Sequence, residues 1–169
     1  VTGQWRQLLD EVQHHRLDGA LIAGDSDQPK LAKTALYYEP LIVIASSALA
    51  PLASLGDVHR HTVFMWPPGC PYRAALESGL AARGLEVNGI DYASWGSIFG
   101  CVSAGAGLAI VPEGLFQHFG ASANLTTYRF AELAPIQNQF FWHRETGNHS
   151  ARDAFAALLA EGFEPLIGG

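Results

Sequence analysis

The stretch Ser94–Pro112, SWGSIFGCVSAGAGLAIVP, constrains the fold most, because it must pass from helix to strand within a few residues. Trp95, Ile98, Phe99 and Val102 recur at i, i+3, i+4 and i+7, which is one apolar helical face. Gly105 stands where a helix C-terminus needs a left-handed residue. Gly107 then opens the run Leu108-Ala109-Ile110-Val111, closed by Pro112, which has the length of an inner strand. Helix, glycine stop and buried strand in immediate succession are the mark of an α/β protein.

The rest of the chain follows the same alternation. A first helix is predicted from about Trp5 to Arg16, with Trp5, Leu8, Leu9 and Val12 on one face. Gly19-Ala-Leu-Ile-Ala-Gly24 suits an inner parallel strand, and Asp25 to Lys33 reads as loop. A strand over Leu36–Ala45 is interrupted by Pro40, which assigns its first half to an edge or a bend. Further strands are expected at His61–Trp66, Val87–Tyr92, Leu125–Phe130 and Ile136–Arg144. Pro71 falls at a first helical position, and the helix it opens runs to Gly84. A short helix follows Pro112. The last helix, about His149 to Gly162, is expected to bury Ala151, Ala154, Phe155, Leu158 and Leu159. Alternating strands and helices predict a largely parallel sheet.

The composition is 49% hydrophobic and 15% charged, so most segments must bury a face. No apolar run approaches the ~18 residues of a membrane span. A net charge of -6 makes this polypeptide alone a poor binder of phosphate backbones. Cys70 and Cys101 do not make a disulfide framework. The chain begins with Val1 rather than Met and reads as a fragment of a longer protein. No metal or cofactor motif is legible: His14-His15 and His59-Arg60-His61 lack partners at zinc-site spacing and are expected on surfaces.

Gly69-Cys70-Pro71-Tyr72-Arg73 opening one helix, followed at this spacing by Ser94–Pro112, resembles the effector-binding domain of LysR-type transcriptional regulators. Leu17-Asp18-Gly19-Ala20-Leu21-Ile22, Glu39-Pro40-Leu41 and Ala154-Phe155 are similar to further parts of that pattern. The resemblance implies a two-lobed, periplasmic-binding-protein-like (type 2) α/β fold with two crossing strands. Residues 1–45 and 140–169 would form a first lobe, truncated at its N-terminus, and residues 46–139 the second. The strand, helix and strand that open the family's first lobe are absent here, as is the winged helix-turn-helix that binds DNA. The implied function is non-enzymatic: a cytoplasmic bacterial sensor whose small-molecule effector biases the lobe arrangement. DNA would be reached only through the absent domain, in a homo-oligomeric full-length protein.

The same resemblance places candidate ligand contacts at Gln4, Trp5, Leu21 and Ala23 in the first lobe and at Pro68, Gly69, Cys70 and Ser94 in the second. Amides at the start of the Pro71 helix can meet an anionic group. Some family members carry an arginine near Ala23 to clamp a carboxylate; Ala23, with Gln4 and Trp5, suits a bulkier, less acidic effector. Each residue also has a plainer role. Arg73 can pair with Glu77 at i+4, Ser94 can serve only as an N-cap, and Trp5, Trp66 and Trp95 can be core. A thiol at a helix N-terminus such as Cys70 can be a redox sensor with a lowered pKa, but Cys101 on the next helix is not at a sensor-like spacing and cysteine is a common small core residue, so the plain packed role is expected. Two other classes share parts of the pattern. A transport-type solute-binding protein has the same cleft, and Gly24-Asp25-Ser26 resembles a hydrolase nucleophile motif but lacks the usual Asp-x-x-His pair.

Overall fold

The computed structural model describes residues 1, 3–49, 51–119 and 124–163. It divides into two compact units, residues 1–38 with 136–169 and residues 39–135. The chain therefore passes between units at 38/39 and 135/136, not at 45/46 and 139/140. The reason is pairing: residues 41–45, expected in the first lobe, belong to Leu41–Ser46, an inner strand of the second unit's sheet.

In the first unit, helix α1 (Trp5–Gln13) leads into strand β1 (Ala20–Ala23), and strand β2 (Leu31–Glu39) starts in what was expected to be loop. Leu9 and Val12 of α1 are buried with Ala20, Ile22, Leu31 and Phe141, and Trp5 and Leu8 pack against that cluster. α1 stops at Gln13 rather than Arg16. The amide of Arg16 reaches back to the Glu11 carbonyl (2.8 Å) and that of His15 to Val12 (3.1 Å), while His15 takes φ +55°. This is a Schellman stop.

In the second unit, β3 (Leu41–Ser46) leads through a 3-10 turn (Leu55–Arg60) to β4 (Thr62–Met65). Helix α2 (Pro71–Ala81), β5 (Asn88–Asp91), helix α3 (Trp95–Ser103), β6 (Leu108–Pro112), helix α4 (Glu113–Phe119) and β7 (Leu125–Tyr128) follow. The five strands lie in the order β5-β4-β6-β3-β7. β4 is parallel to β5 and β6, whereas β3 is antiparallel to β6 and β7, so this sheet is mixed. Every residue of β3 and β6 is buried, as expected of central strands covered on both faces. Ile42, Ile44, Phe64, Ala109 and Val111 pack with Ile98, Phe99 and Val102 of α3. Alternation turns Val43, Leu108 and Ile110 to the other face.

The helix-to-strand passage takes the expected form. Gly105 has φ +77°, and Ala106 and Gly105 donate back to Cys101 (3.1 Å) and Val102 (2.9 Å) in a second Schellman stop. Gly107 brings two strands together: a Cβ there would lie 2.3 Å from the Thr62 carbonyl oxygen.

The chain returns to the first unit in β8 (Ile136–His143), then a 3-10 turn (Arg144–Thr146) and helix α5 (Ser150–Phe163). β8 lies between β1 and β2. β1 is thus an outer strand of a three-stranded sheet, antiparallel to β8, not an inner parallel strand. The helix α5 also departs from expectation. Phe155 and Leu158 are 49% and 65% exposed, Ala151 and Ala154 are exposed, and Leu159 is half-buried. Arg152 is the buried side chain in this region, with its guanidinium over the Trp142 ring at 5.2 Å. Helical spacing identified the apolar residues but not what covers them.

Candidate functional site

In the second unit, four of the eight candidate contacts come to the starts of two helices. Pro67-Pro68-Gly69-Cys70 forms a turn, with the Cys70 amide donating to the Pro67 carbonyl (3.3 Å) and Gly69 at φ +99°. Pro68 and Gly69 are exposed and Cys70 half-buried. Pro71 occupies the first helical position of α2, where its missing N–H leaves no bond unmade. Ser94, also exposed, precedes α3. Aromatic rings join the two helix starts. Trp66 and Trp95 meet edge-on with centroids 5.4 Å apart, and Tyr72 lies 6.3 Å from Trp95. Tyr72 also donates its hydroxyl to Glu39 Oε2 at 2.9 Å, which ties α2 to the end of β2.

Several plain roles are occupied. Ser94 Oγ accepts from the Ser97 amide at 3.4 Å as the α3 N-cap. Arg73 donates to Glu77 (Nε to Oε1, 2.7 Å), to the Trp66 carbonyl (3.3 Å) and to Asp91. Burial pushes its pKa down, but the two carboxylates outweigh burial and hold it above its ordinary value. Two neutralising carboxylates make Arg73 a brace for the loop rather than an anion clamp. Cys70 fits its plainer reading, a partly packed thiol, rather than the redox one. Burial pushes its thiol pKa up, and the amides of Arg73 and Tyr72 only partly counter this. A half-buried thiol with a raised pKa is a poor nucleophile.

In the first unit the candidates separate. Gln4 is the exposed N-cap residue of α1 and makes no side-chain capping bond. Trp5 is half-buried against the α1 cluster, under the Arg6 guanidinium at 5.1 Å. Leu21 and Ala23 alternate with the buried Ala20 and Ile22 and so project from the opposite face of β1. Trp5, Arg6, Leu9, Asp10, Gln13 and Gln28 line a concavity of about 420 Å³. Gln13 Nε2 donates to Gln28 Oε1 at 2.6 Å beside it. Of the eight candidates, this lining includes Trp5. Arg6, Asp10 and Gln13, at i, i+4 and i+7, form a polar stripe on α1 that sequence periodicity could have singled out.

Ser26 has no hydrolase arrangement around it. Its Oγ accepts from Gln28 Nε2 at 3.1 Å, an amide that cannot take a proton, and Asp25 is held by Lys33. The Lys33 hydrogen bond, opposed by burial and aided by the Ser26 amide, holds the Asp25 pKa below its usual value. His15 is exposed, as expected, but it has neighbours that lie far away in sequence. His15, His143 and Glu145 bring their ligating atoms within 4.8 Å of one another. Among the described residues no helix is long and apolar enough to cross a membrane.

Known proteins share this fold and sequence pattern. The chain is similar to the transcriptional regulator GltR of Bacillus subtilis, at 26% identity over 166 residues, 97% of this chain and 56% of that protein. It is similar to the regulator SoxR of an Arthrobacter species at 27% over 146 residues, 85% of this chain and 49% of that protein. It thus spans about half the length of these relatives. The Synechocystis CcmR regulatory domain, solved in complex with 2-PG, superposes with TM-score 0.82 at 16% identity, covering 96% of this chain and 81% of that one. A Corynebacterium glutamicum OxyR mutant superposes at 0.84 with 20% identity, covering 99% and 54%. These structural likenesses support the two-lobed, periplasmic-binding-like class of fold. The LysR substrate binding domain pattern matches residues 1–164, and the chain belongs to that family.

Proposed function

We propose that this chain is the effector-binding part of a bacterial LysR-type transcriptional regulator that acts in the cytoplasm and has no catalytic role. The observation that carries this reading is the family match over residues 1–164. The paired helix starts at Pro71 and Trp95 supply a rigid, aromatic-lined surface with backbone donors, the kind of corner that fixes a small ligand. The 2-PG held by the CcmR domain is a small molecule of this general kind. Effector contacts are proposed at Pro68, Gly69, Cys70 and Ser94 in the second unit; in the first unit the candidates are Gln4, Trp5, Leu21 and Ala23. Ligand binding would shift a conformational equilibrium, and the shift would be read out on DNA by a helix-turn-helix outside these residues in a homo-oligomer. That the relatives are regulators favours this reading over a transport-type solute-binding protein. The Gln28-bound Ser26 argues against hydrolysis.

The test is retention of small molecules. Wild-type protein is equilibrated with a bacterial metabolite extract, washed, and the bound compounds are identified by mass spectrometry. Ser94→Trp should abolish retention while the protein stays folded, its stability lowered only by the roughly 1 kcal/mol of a lost N-cap. Identical retained compounds in both proteins would reject the site, and ester hydrolysis that disappears in Ser26→Ala would reject the function.

A further inference from the structure

We infer that the first unit carries a zinc site formed by His15, His143 and Glu145, an inference independent of the functional reading above. Ligating atoms of the three side chains lie within 4.8 Å of one another. The two imidazoles are in contact, with centroids 4.1 Å apart and planes at 44°. Two histidines and one carboxylate with a fourth position left open suit a zinc-type divalent ion.

Local structure explains how the ligands meet. His143 ends β8 and is buried at 6% exposure. The amide of Glu145 donates to its Nδ1 at 3.2 Å, and the Thr146 hydroxyl donates to its carbonyl at 2.6 Å. These bonds fold the 3-10 turn that carries Glu145; with Nδ1 accepting, the neutral ring carries its proton on Nε2, so His143 would ligate through Nδ1 and exchange the Glu145 amide for the ion. His15 arrives from α1. Three helices end in the same pair of back-bonds, at residues 15, 84 and 105. Gly84 and Gly105 occupy the left-handed position in two of them, at φ +69° and +77°. In α1 that position is His15, at φ +55°, a conformation that favours glycine over a residue with a side chain. The imidazole is kept at a place where the backbone favours glycine, and it rests against a buried histidine that lies far away in sequence. The site also sits at a helix C-terminus, whose partial negative charge favours a cation.

The ligand set is not yet closed on an ion. A tetrahedral ion with bonds of about 2.0–2.1 Å holds its ligands roughly 3.4 Å apart, so the side chains must draw in by about an ångström. His15 and Glu145 are exposed and can turn, while His143 is held. Zinc would then clamp the end of α1 to the end of β8, making the stability of the first unit metal-dependent.

The experiment titrates the purified chain with zinc chloride against a chromophoric chelator and records the thermal midpoint with and without the metal. We expect one ion per chain bound above the background of the remaining histidines, with a raised midpoint. His15→Gly is the decisive variant, because glycine suits φ +55° and loss of binding cannot then be ascribed to misfolding. His15→Gly and Glu145→Gln should each weaken zinc binding about tenfold or more and remove the zinc-induced shift. A His59→Ala/His61→Ala variant should keep both. Zinc affinity unchanged in His15→Gly, or a shift that persists in Glu145→Gln, would overturn the assignment. So would wild-type binding no tighter than that of a His15→Gly/His143→Gln double variant.

Discussion

The indole of Trp66 meets the indole of Trp95 edge-on, at 5.4 Å between centroids and 60° between planes. Both rings also pack on the cluster under α3. The loop before α2 and the first turn of α3 therefore share one hydrophobic anchor. Trp95→Ala should cost about 2 kcal/mol, less than a fully buried tryptophan because Trp95 is only half-buried. A double-mutant cycle with Trp66→Ala, read by urea unfolding, should give a coupling of about 0.5–1.5 kcal/mol. Strict additivity would mean that the pair does not couple the two helix starts.

Ile98 and Leu108 are fully buried on opposite faces of the second unit's sheet. Replacing either by Ala should destabilise by about 2–5 kcal/mol through loss of contact and a residual cavity. Leu158→Ala removes the same class of side chain from an exposed position of α5. Its cost should stay within about 0.5 kcal/mol. Chemical denaturation of the three variants side by side checks the contrast.

Gly107→Ala and Gly105→Ala test different demands. Gly105 needs only a left-handed backbone, and nothing lies within 4 Å of an added Cβ, so alanine should cost about 1–2 kcal/mol. At Gly107 the added atom meets a main-chain oxygen at 2.3 Å, and β4 and β6 must separate. We expect Gly107→Ala to be the more damaging, with lower soluble yield and a lower melting temperature. The reverse order would show that β4 and β6 can part without consequence.

The Asp57 carboxylate accepts from the amides of Ser54 (2.9 Å) and Ala53 (3.0 Å) and from the Ser54 hydroxyl (3.2 Å). The Ser54 amide is the largest cause of its lowered pKa; burial opposes it, and the remaining bonds and Arg60 add to the lowering. A carboxylate whose folded-state value is depressed stabilises the fold above its unfolded value of about 4. That contribution disappears as the pH falls through the folded value. Asp57→Ala should therefore lower the urea midpoint at pH 7 and flatten its decline below about pH 4. Parallel pH profiles for the two proteins would contradict this.

Cys70 should behave as a protected thiol. Burial raises its pKa, so alkylation at neutral pH should be slower than that of an unfolded thiol and accelerate only above the usual range of about 8–9. Comparing iodoacetamide rates for a Cys101→Ser variant, folded and in denaturant, isolates this residue. A folded rate faster than the denatured one at pH 7 would restore the redox reading.

Local periodicity was enough to place α3, its glycine stop and β6 almost residue for residue, because each depends on neighbours in sequence. The same holds for Pro71 opening α2 and for Ser94 as an N-cap. Strand direction was not legible. β1 and β3 read as apolar runs whichever way their partners point, and the antiparallel pairing of β1 with β8 is made across more than half the chain. The apolar residues of α5 were found, but exposure is a property of what stands opposite, and Phe155 and Leu158 remain uncovered. The candidate site was legible as helix starts. The structure decided what the side chains do there: Arg73 is held by Glu77 and Asp91, and burial raises the Cys70 thiol pKa. Residue spacing gave His15 no partner. Chain folding brings it to His143 and Glu145, because metal-ligand geometry is set by distance in space and leaves no trace in sequence when its members lie on separate elements.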